Sequence, residues 1–406
     1  MSFGRQYNRS SPERALRNSF GGIMASRSSS DEARRARAEG VVRELFTGAG
    51  IGFEGKNPGD IVVKNPLFYE RLLAEASIGL GESYMDEWWT CEDLELFFEK
   101  ILRADMTKKI TGDWRMRLIT LHAILFNRQS RARAYEVAEK HYDIGNDLYQ
   151  VMLDKRLVYT CAYWKNAKNL EEAQEAKLDL ICRKVGLKPG MTVLDLGCGW
   201  GGLAIYAAEK YGAKVVGVTV AKEQVKLARE MAGNLPCEFR LQDYRDVYGQ
   251  FDRVWSIGLL EHIGHKNHRK LMEVVYRNLK PDGVALLHTV GNNESMLHGV
   301  PFIEKYIFPN AAAPSVAQLG KAMEGLFVME DWHNFGPDYY HTLMAWWENF
   351  KNGYHLLDQN KYDRRFYLMW QWYLLSAAGS SLARDGQLWH IVITKNGRKQ
   401  PDCRLS

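Results

Sequence analysis

The sequence predicts an α/β protein with a doubly wound, mainly parallel sheet and a smaller, mostly helical N-terminal domain. Apolar strand-like runs alternate with helical stretches from residue 188 onward, and a glycine-rich turn follows the first run. This alternation implies right-handed crossovers and helices on both faces of the sheet. With 406 residues the chain is also longer than one typical domain. We therefore expect two domains, of which the second holds the sheet.

The smaller domain is predicted over residues 39–122. A helix is expected from near Pro66, broken by Gly79 and Gly81, and residues 91–104 carry apolar side chains at helical spacing. Residues 113–140 combine helical apolar spacing with several arginines. A basic amphipathic helix of this kind either lies on a membrane or packs between two domains, and a linker helix is placed at 123–136.

The larger domain is predicted over residues 137–398. Its short apolar runs have the length and composition of strands, and Lys222–Met231 and His265–Leu279 are predicted to be helices. Pro281, Asp282 and Gly283 are expected to stop the second of these helices. A helical, aromatic-rich insertion is predicted from Tyr339 to Leu382. The predicted strands are 191–197, 214–220, 237–243, 251–258, 283–291, 326–335 and 388–395.

Both ends of the chain are predicted to lie outside these domains. Residues 1–38 hold eight Arg and three acidic residues, which accounts for the whole net charge of +5, and they are rich in Ser. Such a segment cannot bury a core, so it is expected to be a disordered arm that either solubilises the protein or tethers it weakly to anionic lipid or nucleic acid. Residues 399–406 are expected to form a tail.

Composition excludes several classes of protein. No apolar run is long enough to span a bilayer, and no signal peptide follows the start. The six cysteines are irregularly spaced without a C-x-x-C pair, so neither a disulfide framework nor a zinc knuckle is expected. A reduced cytosolic compartment is the simplest interpretation.

The turn after the first strand of the larger domain has the sequence VLDLGCGWGG and indicates a ligand site. Glycines allow a tight turn and close approach of a ligand to the backbone, at the edge where such sheets bind ligands. The spacing is not that of dinucleotide sites, and no Lys-Ser/Thr pair follows as in a Walker loop. The motif resembles that of class I S-adenosylmethionine-dependent methyltransferases, whose loop cradles the methionine and ribose. Its residues here are Asp195, Gly197, Gly199, Trp200 and Gly201.

The next two strands supply further candidates for this cofactor. The second strand ends without the acid that many methyltransferases use for the ribose, so Thr219 and Gln224 are candidates for neutral hydrogen bonds. After the third strand, Asp243 is a candidate for the adenine amine and Tyr244 for the ring face.

The fourth and fifth strands point to the acceptor site. Glu261 and His288 follow or end these strands at the same edge of the sheet. His262, His265 and His268 raise the alternative of a metal site, but Gly264 makes a shared helical face doubtful, and no metal is expected.

Several separate segments, in the same order, resemble bacterial cyclopropane-fatty-acyl-phospholipid synthases. The resemblance covers roughly residues 40–396, including the smaller domain. The segments that carry it are EKHYDIGNDLYQVML, YTCAYW through VLDLGCGWGG, IGLLEHIGHKNH, LLHTVG, EKYIFPN, MEDWHNFGPDYYHTLMAW and NPLFYERLLAEASIGLGESYMDEWW.

The resemblance implies a Rossmann-like class I methyltransferase domain and methylene transfer from S-adenosylmethionine to a cis double bond of a phospholipid acyl chain. A carbocation would lose its proton to a bound bicarbonate ion. Ala377 stands where many relatives have a cysteine, which excludes a nucleophilic thiol at that position. By motif, the bicarbonate ligands are Cys161, Glu261, His288, Tyr339 and Val290 through its backbone, and Tyr159 and Thr160 join the cofactor site.

The resemblance also implies partners and a location. We expect unsaturated membrane phospholipid as substrate, peripheral contact with the inner face of the cell membrane, a homodimer, and no nucleic-acid partner. Two alternatives stay open: a transferase of the same superfamily that methylates an amine or leaves a methyl branch, and a lipid-binding or S-adenosylmethionine-sensing protein without turnover.

Overall fold

The structure is a computed structural model that describes the backbone of residues 13–30 and all atoms of residues 31–106 and 145–405. The predicted linker helix at 123–136 lies outside the described residues. The N-terminal part begins with a long helix and continues with a two-stranded antiparallel sheet flanked by helices. Its elements are α1 (Glu13–Gly48), β1 (Ile61–Val63), α2 (Leu67–Met85), β2 (Trp89–Cys91) and α3 (Leu94–Arg103).

Helix α1 differs from the predicted disordered arm over residues 1–38, because the chain is helical from Glu13 onward. The reason lies at the end of the helix that enters the folded domain. Ala38, Val42 and Phe46 are buried at a spacing of four residues, so one face of α1 packs into the core. The ring of Phe46 lies 5.8 Å from that of Phe97. The Arg/Ser-rich composition masks this apolar face.

Helix α2 is broken at a different residue from the one predicted. The backbone leaves the helical region at Ala76, with φ 49° and ψ −126°, whereas Gly79 and Gly81 are helical. A side chain at Gly81 would lie 2.3 Å from the Phe302 ring. The glycines therefore allow close packing rather than breaking the helix.

The C-terminal part contains a seven-stranded sheet in the order β5-β4-β3-β6-β7-β9-β8. Strands β3 to β7 are mutually parallel, and β9 is antiparallel to both of its neighbours. This confirms the predicted α/β class and every predicted strand. The elements are α4 (Asn146–Met152), α5 (Leu170–Lys184), β3 (Thr192–Leu196), α6 (Gly202–Tyr211), β4 (Lys214–Thr219), α7 (Lys222–Ala232), β5 (Cys237–Leu241), β6 (Phe251–Ile257), α8 (His268–Asn278), β7 (Leu279–Asn292), α9 (Pro301–Tyr306), α10 (Val316–Met323), β8 (Val328–Asn334), α11 (Pro337–Gly353), α12 (Arg364–Leu382) and β9 (Gly386–Thr394).

Strand order reverses between β3 and β6. The chain moves outward from β3 to β4 and β5, and then returns to pair β6 on the other side of β3. At such a reversal the loops at the carboxyl ends of the strands separate and leave a crevice. The glycine-rich turn follows β3, so the predicted cofactor loop lies at this crevice.

Helix α8 and strand β7 join without the predicted turn. The helix ends at Asn278 and the strand begins at Leu279, so Pro281–Gly283 lie within β7. A register irregularity on β6 between Phe251 and Arg253 accommodates this start of the strand. The predicted helix from His265 begins as a short 3-10 turn and becomes α-helical at His268.

The late helices α11 and α12 join the N-terminal part in one hydrophobic cluster. Trp372 on α12 packs against Trp89 of the N-terminal sheet, with ring centroids 5.9 Å apart, and against Phe302 of α9 at 5.4 Å. The predicted division at residues 122 and 137 is therefore crossed by shared packing. Among the described residues, no helix combines the length and apolar character needed to traverse a bilayer.

Candidate functional site

The glycine-rich loop after β3 has the shape of a ligand cradle. Gly197, Gly199 and Gly201 all have positive φ, at 82°, 54° and 80°. A side chain at Gly201 would lie 2.5 Å from the Phe239 ring, so this glycine permits close packing of the loop. At Gly199 a side chain would meet no atom within 4 Å. The backbone at Gly199 is therefore open to a ligand, as the cofactor prediction requires.

Two ionisable groups are buried behind this loop. Asp195 is 2% exposed, the Trp255 indole lies close to its carboxylate, and its Oδ1 atom forms no hydrogen bond of standard geometry among the described residues. Burial raises the pKa of Asp195 to about 7 and lowers the pKa of the buried Lys177 to about 8. Lys177 Nζ donates to Thr160 Oγ1 at 2.8 Å. A polar ligand at this loop would find an unused acceptor at Asp195 and a hydroxyl held in place at Thr160.

Lys177 is a site residue that the sequence analysis missed. It lies on α5, where Gln174 is buried three residues earlier on the same face and donates to the Thr160 carbonyl at 2.9 Å. Lysines on amphipathic helices are ordinarily exposed, so the sequence carries no signal that separates this one from the others.

Aromatic side chains enclose the other side of the loop. Trp200 packs against Tyr149 at 4.8 Å, and its indole N–H donates to Asn146 Oδ1 at 3.0 Å. Tyr159 packs against Trp346 with ring centroids 5.2 Å apart, and its hydroxyl donates to Tyr373 Oη at 2.9 Å. The predicted residues Trp200 and Tyr159 thus belong to one aromatic wall.

The predicted ribose pair lies at the end of β4. Thr219 Oγ1 donates to Gln224 Oε1 at 3.0 Å, and both residues are buried. The pair leaves the Gln224 amide hydrogens available for donation. Neutral side chains therefore occupy this strand end, in agreement with the sequence.

The predicted adenine residues lie after β5. Asp243 accepts from the Arg245 guanidinium at 2.8 and 2.6 Å and from the Arg245 backbone N–H at 2.9 Å. The Arg245 guanidinium also lies 5.3 Å from the centre of the Tyr244 ring. Asp243 is held in place by this buried ion pair, which the sequence analysis missed. Oδ1 already accepts two of these hydrogen bonds and Oδ2 accepts one, so Oδ2 retains a lone pair for another donor.

Glu261 lies in a short 3-10 helix, Leu260–His262, that follows β6. Its carboxylate accepts from Thr289 Oγ1 at 3.0 Å and from the Val290 N–H at 3.4 Å. Burial raises the pKa of Glu261 to about 7. A side chain at Gly258 would lie 2.7 Å from Thr160 Cγ2 and 3.8 Å from Glu261 Oε1. Gly258 therefore brings the cofactor loop region and the acceptor carboxylate close together.

Cys161 and Tyr339 complete the acceptor cluster. Burial raises the pKa of the Cys161 thiol well above its usual value, so the thiol stays protonated, and Thr342 Oγ1 lies 3.8 Å from its sulfur. Burial also raises the pKa of Tyr339, with smaller contributions from Tyr373, Cys161 and Glu261. These groups consequently share one region of low polarity.

Several residues of this region keep part of their surface accessible. Glu261, Tyr339, Tyr159 and Thr160 are partly accessible, whereas Asp195, Lys177 and Cys161 are buried. Desolvation nevertheless disfavours the charged forms of Glu261 and Tyr339. The structure thus brings Thr160 and Glu261 together at Gly258, with Cys161 and Tyr339 close by, at the carboxyl edge of the sheet.

His288 lies on β7 opposite Ile257, and its carbonyl accepts from the Gly258 N–H at 2.9 Å. Its Nδ1 atom lies 3.0 Å from Nε2 of His390 on β9, a residue that the sequence analysis did not select. His265 and His268 belong to the start of α8. Within residues 31–106 and 145–405, no group of three or more His, Cys, Asp or Glu side chains is arranged to bind a metal.

Comparison with known proteins identifies the family of this chain. The family model described as mycolic acid cyclopropane synthetase matches residues 129–391. The chain is 52% identical over 355 residues to the cyclopropane-fatty-acyl-phospholipid synthase of Escherichia coli K12, covering 87% of this chain and 93% of that protein. It is 35% identical over 227 residues to cyclopropane mycolic acid synthase 1 of Mycobacterium tuberculosis H37Ra, covering 51% of this chain and 79% of that protein.

Solved structures of methyltransferases and cyclopropane synthases are also similar to this chain. The crystal structure of mycolic acid cyclopropane synthase CmaA1 complexed with SAH and CTAB is 30% identical, with a TM-score of 0.60, and the match covers 64% of this chain and 98% of that one. Coclaurine N-methyltransferase, at 20% identity and a TM-score of 0.65, shares the fold over 79% of this chain and 100% of its own. The chain therefore belongs to the mycolic acid cyclopropane synthetase family, and it is an S-adenosylmethionine-dependent enzyme of the cyclopropane synthase and methyltransferase kind.

Proposed function

We propose that this enzyme is a cyclopropane fatty acid synthase that acts on cis double bonds of unsaturated acyl chains in membrane phospholipid. The single observation that carries the proposal is the approach of Thr160, proposed for the cofactor site, and Glu261, proposed for the acceptor site, on either side of Gly258. The name of the E. coli relative, which matches 87% of this chain, supports the substrate class.

The residues around the loop suit S-adenosylmethionine. The open backbone at Gly199 and the unused acceptor atom of Asp195 fit a polar amino-acid and ribose group, and Gln224 has amide hydrogens left to donate. Asp243 and Tyr244 are proposed for the adenine. When bound, this cofactor supplies the electrophilic carbon that is added to the alkene.

The acceptor side of the proposed site suits an apolar chain that becomes positively charged. Tyr159, Phe308, Trp346 and Tyr373 form a connected set of rings, with Tyr159 5.2 Å from Trp346 and 6.1 Å from Phe308. Aromatic faces stabilise a desolvated cation by about 2 kcal/mol or more. A carbocation on the acyl chain is therefore stabilised by ring faces, which do not trap it as a bound nucleophile would.

Glu261 is the group proposed to organise the base. Its pKa of about 7 lets it ionise near neutral pH, and in that form it can accept a hydrogen bond from the hydroxyl of a small acid. Bicarbonate, the base proposed here, would supply an oxygen that takes the ring-closing proton. Glu261 would orient it, and Tyr339 and His288 are the proposed donors to its oxygens. The Val290 N–H would join them by leaving its long bond of 3.4 Å to Glu261.

Cys161 is proposed as a hydrogen-bonding wall of this base site. Its raised pKa keeps the thiol neutral, and a neutral thiol beside an anion is a weak donor and a poor nucleophile. Ala377 lies on α12 in the same hydrophobic cluster, so this helix offers no thiol at that position.

The remaining proposals concern partners. The enzyme is proposed to contact the inner face of the cell membrane peripherally, because its substrate is embedded in lipid, and to act as a homodimer in the cytoplasm without nucleic acid. Support for the lipid substrate comes from the phospholipid in the name of the E. coli relative. A methyl-branched product is the second candidate, since the Sphingolipid C9-methyltransferase A of Emericella nidulans is 32% identical over 341 residues.

Lipid analysis tests the proposal. The protein is expressed in cells that make unsaturated phospholipid, and their fatty esters are examined by gas chromatography–mass spectrometry. We expect esters heavier by one CH2 that have lost the alkene signal. A methyl-branched chain formed by loss of a different proton from the carbocation would be heavier by the same CH2 but would keep an alkene signal, and it would favour the second candidate. Unchanged unsaturated chains would refute both candidates.

Two controls belong to this experiment. Glu261→Gln is expected to bind S-adenosylmethionine normally and to turn over at least about 10²-fold more slowly. Activity is also expected to fall in carbon-dioxide-free buffer and to return when bicarbonate is added. A wild-type rate in the Gln variant would remove Glu261 from the mechanism, and a rate independent of bicarbonate would remove that ion.

A further inference from the structure

Three histidines lie side by side across the end of the sheet. His288 on β7 is directly opposite His390 on β9, which is directly opposite His333 on β8. Side chains at directly opposite positions project from the same face of a sheet. The His288 and His390 rings are 5.1 Å apart, and the His390 and His333 rings are 6.5 Å apart. His288, a proposed donor to the base, therefore has an imidazole neighbour that the proposed mechanism does not use.

His288 and His390 are joined by one hydrogen bond between their rings. His288 Nδ1 and His390 Nε2 are 3.0 Å apart, and both residues are at most 1% exposed. Burial lowers the pKa of both imidazoles well below the usual value, and the nearby cations Lys177 and Lys184 act in the same direction. Both rings are therefore neutral, so only one of the two facing nitrogens carries a hydrogen.

The surroundings of His390 Nδ1 indicate which of the two facing nitrogens carries the hydrogen. His390 Nδ1 is buried and has no hydrogen-bond partner among the described residues. If His390 accepted from His288, its own hydrogen would sit on Nδ1 without an acceptor. If His390 donates from Nε2, only a lone pair is left unused at Nδ1. Buried N–H groups without acceptors are rarer than unused acceptors, so His390 is the donor.

We propose that His390 is a positioning residue that fixes the tautomer of His288. Because His390 donates to Nδ1, the hydrogen of His288 must lie on Nε2, the nitrogen on the other side of the ring. His288 is thereby held as a donor for an anionic oxygen in the acceptor site and is prevented from presenting a lone pair to it. This role rests on the proposed function of the site.

The tautomer itself is measured by 15N NMR of histidine-labelled enzyme without substrate. We expect His288 to carry its hydrogen on Nε2 in the wild type and to populate both tautomers in His390→Leu, which keeps a similar volume without a nitrogen. A His288 hydrogen on Nδ1 in the wild type would overturn the proposal. This readout does not depend on catalytic activity.

Kinetics test whether the tautomer matters. His390→Leu is expected to lower kcat at least about tenfold without changing KM for S-adenosylmethionine. His390→Gln, whose amide can still donate to His288, is expected to restore most of kcat. The exposed His355 provides the matched control, and His355→Leu is expected to leave kcat unchanged. A wild-type kcat in His390→Leu would overturn the proposal.

A double-mutant cycle separates positioning from general loss of structure. In a His288→Gln background, His390→Leu is expected to change kcat by less than about twofold, because the residue acts only through His288. The same fold-loss in both backgrounds would overturn the proposal. If the wild type makes no modified lipid at all, the proposed function fails by itself. If the wild type is active but the losses of kcat from His288→Gln and His390→Leu multiply independently, only the proposed role of His390 is contradicted.

Discussion

At the scale of single residues, the proposed function of Glu261 opposes stability. Its carboxyl group is hydrogen-bonded by Thr289, Val290 and its own backbone N–H, yet burial raises its pKa from 4.5 to about 7. A raised folded-state pKa means that the native protein binds the proton more tightly than the unfolded chain does. The stabilisation from this proton is complete below pH 4.5 and is lost as the pH rises through 7.

Glu261→Gln removes this pH dependence. The variant is expected to match the wild type in free energy of unfolding near pH 4.5 and to exceed it at pH 8 by about 1–3 kcal/mol. The raised pKa converts at about 1.4 kcal/mol per pH unit, and the partial accessibility of the side chain reduces the result. Urea unfolding at both pH values is the measurement. Equal stabilities at pH 8 would show that the ionised carboxylate is well solvated in the free enzyme.

At the scale of elements, two glycines near β3 allow the effect of a substitution on ligand binding to be distinguished from its effect on stability. Gly199 and Gly190 both have positive φ, at 54° and 81°, and a side chain would meet no atom within 4 Å at either position. Alanine at each is therefore expected to cost a similar backbone strain of about 1 kcal/mol. Only Gly199 belongs to the cofactor loop, whereas Gly190 precedes β3 at the opposite edge of the sheet.

We expect the two alanine variants to differ in affinity for S-adenosylmethionine but not in stability. Gly199→Ala is expected to weaken S-adenosylmethionine binding at least about tenfold, since its methyl group enters the open side of the loop, and Gly190→Ala is expected to bind normally. Isothermal titration calorimetry measures the affinities, and thermal unfolding measures the strain. Equal affinities in the two variants would show that the cofactor does not approach Gly199.

The contact between α2 and α9 depends on another glycine. A side chain at Gly81 would lie 2.3 Å from the Phe302 ring, whereas at Gly40 in α1 it would meet nothing within 4 Å. Gly81→Ala is expected to lower the free energy of unfolding by about 1–3 kcal/mol through overpacking. Gly40→Ala is expected to raise it by about 0.5–1 kcal/mol, because alanine favours the helix. Chemical denaturation checks both, and a stabilised Gly81 variant would mean that the ring moves freely.

At the scale of the whole molecule, one hydrophobic cluster joins the N-terminal part to the insertion helices. Trp372 contacts Trp89, Phe98 and Phe302, with ring centroids between 4.7 and 5.9 Å. Trp372→Ala is expected to cost about 3–5 kcal/mol. Because the cluster joins the two parts of the chain, we expect them to unfold together. Cys91 of the N-terminal part and Cys182 of α5 should therefore become reactive to a thiol reagent at the same urea concentration, both in the wild type and in Trp372→Ala. Separate midpoints would show two independent folding units.

Much of the fold could be predicted because its signals are local. Apolar runs near residues 191–197 and 251–258 became β3 and β6, and the glycine-rich turn took its place after β3. Strand formation depends on short-range composition, so these predictions succeeded. The structure has a helix over residues 13–38 of the predicted disordered arm, where residues 31–37 are exposed and Ala38 enters the core. The predicted break of α2 at its glycines was wrong because Gly81 packs closely against Phe302.

The site residues also fall into those that the sequence predicts and those that only the tertiary structure reveals. By itself the sequence determined the fold class, which the structure confirms, and it predicted the position of the proposed cofactor loop and of Glu261, since each follows directly on a strand whose apolar pattern is local. Only the tertiary structure decided the neighbours that set their properties: Lys177 on Thr160, Arg245 on Asp243 and His390 beside His288. These contacts join positions far apart in the chain or depend on which helix face is buried. Burial shifts pKa values and hydrogen-bond partners fix tautomers, and neither is encoded in any one segment.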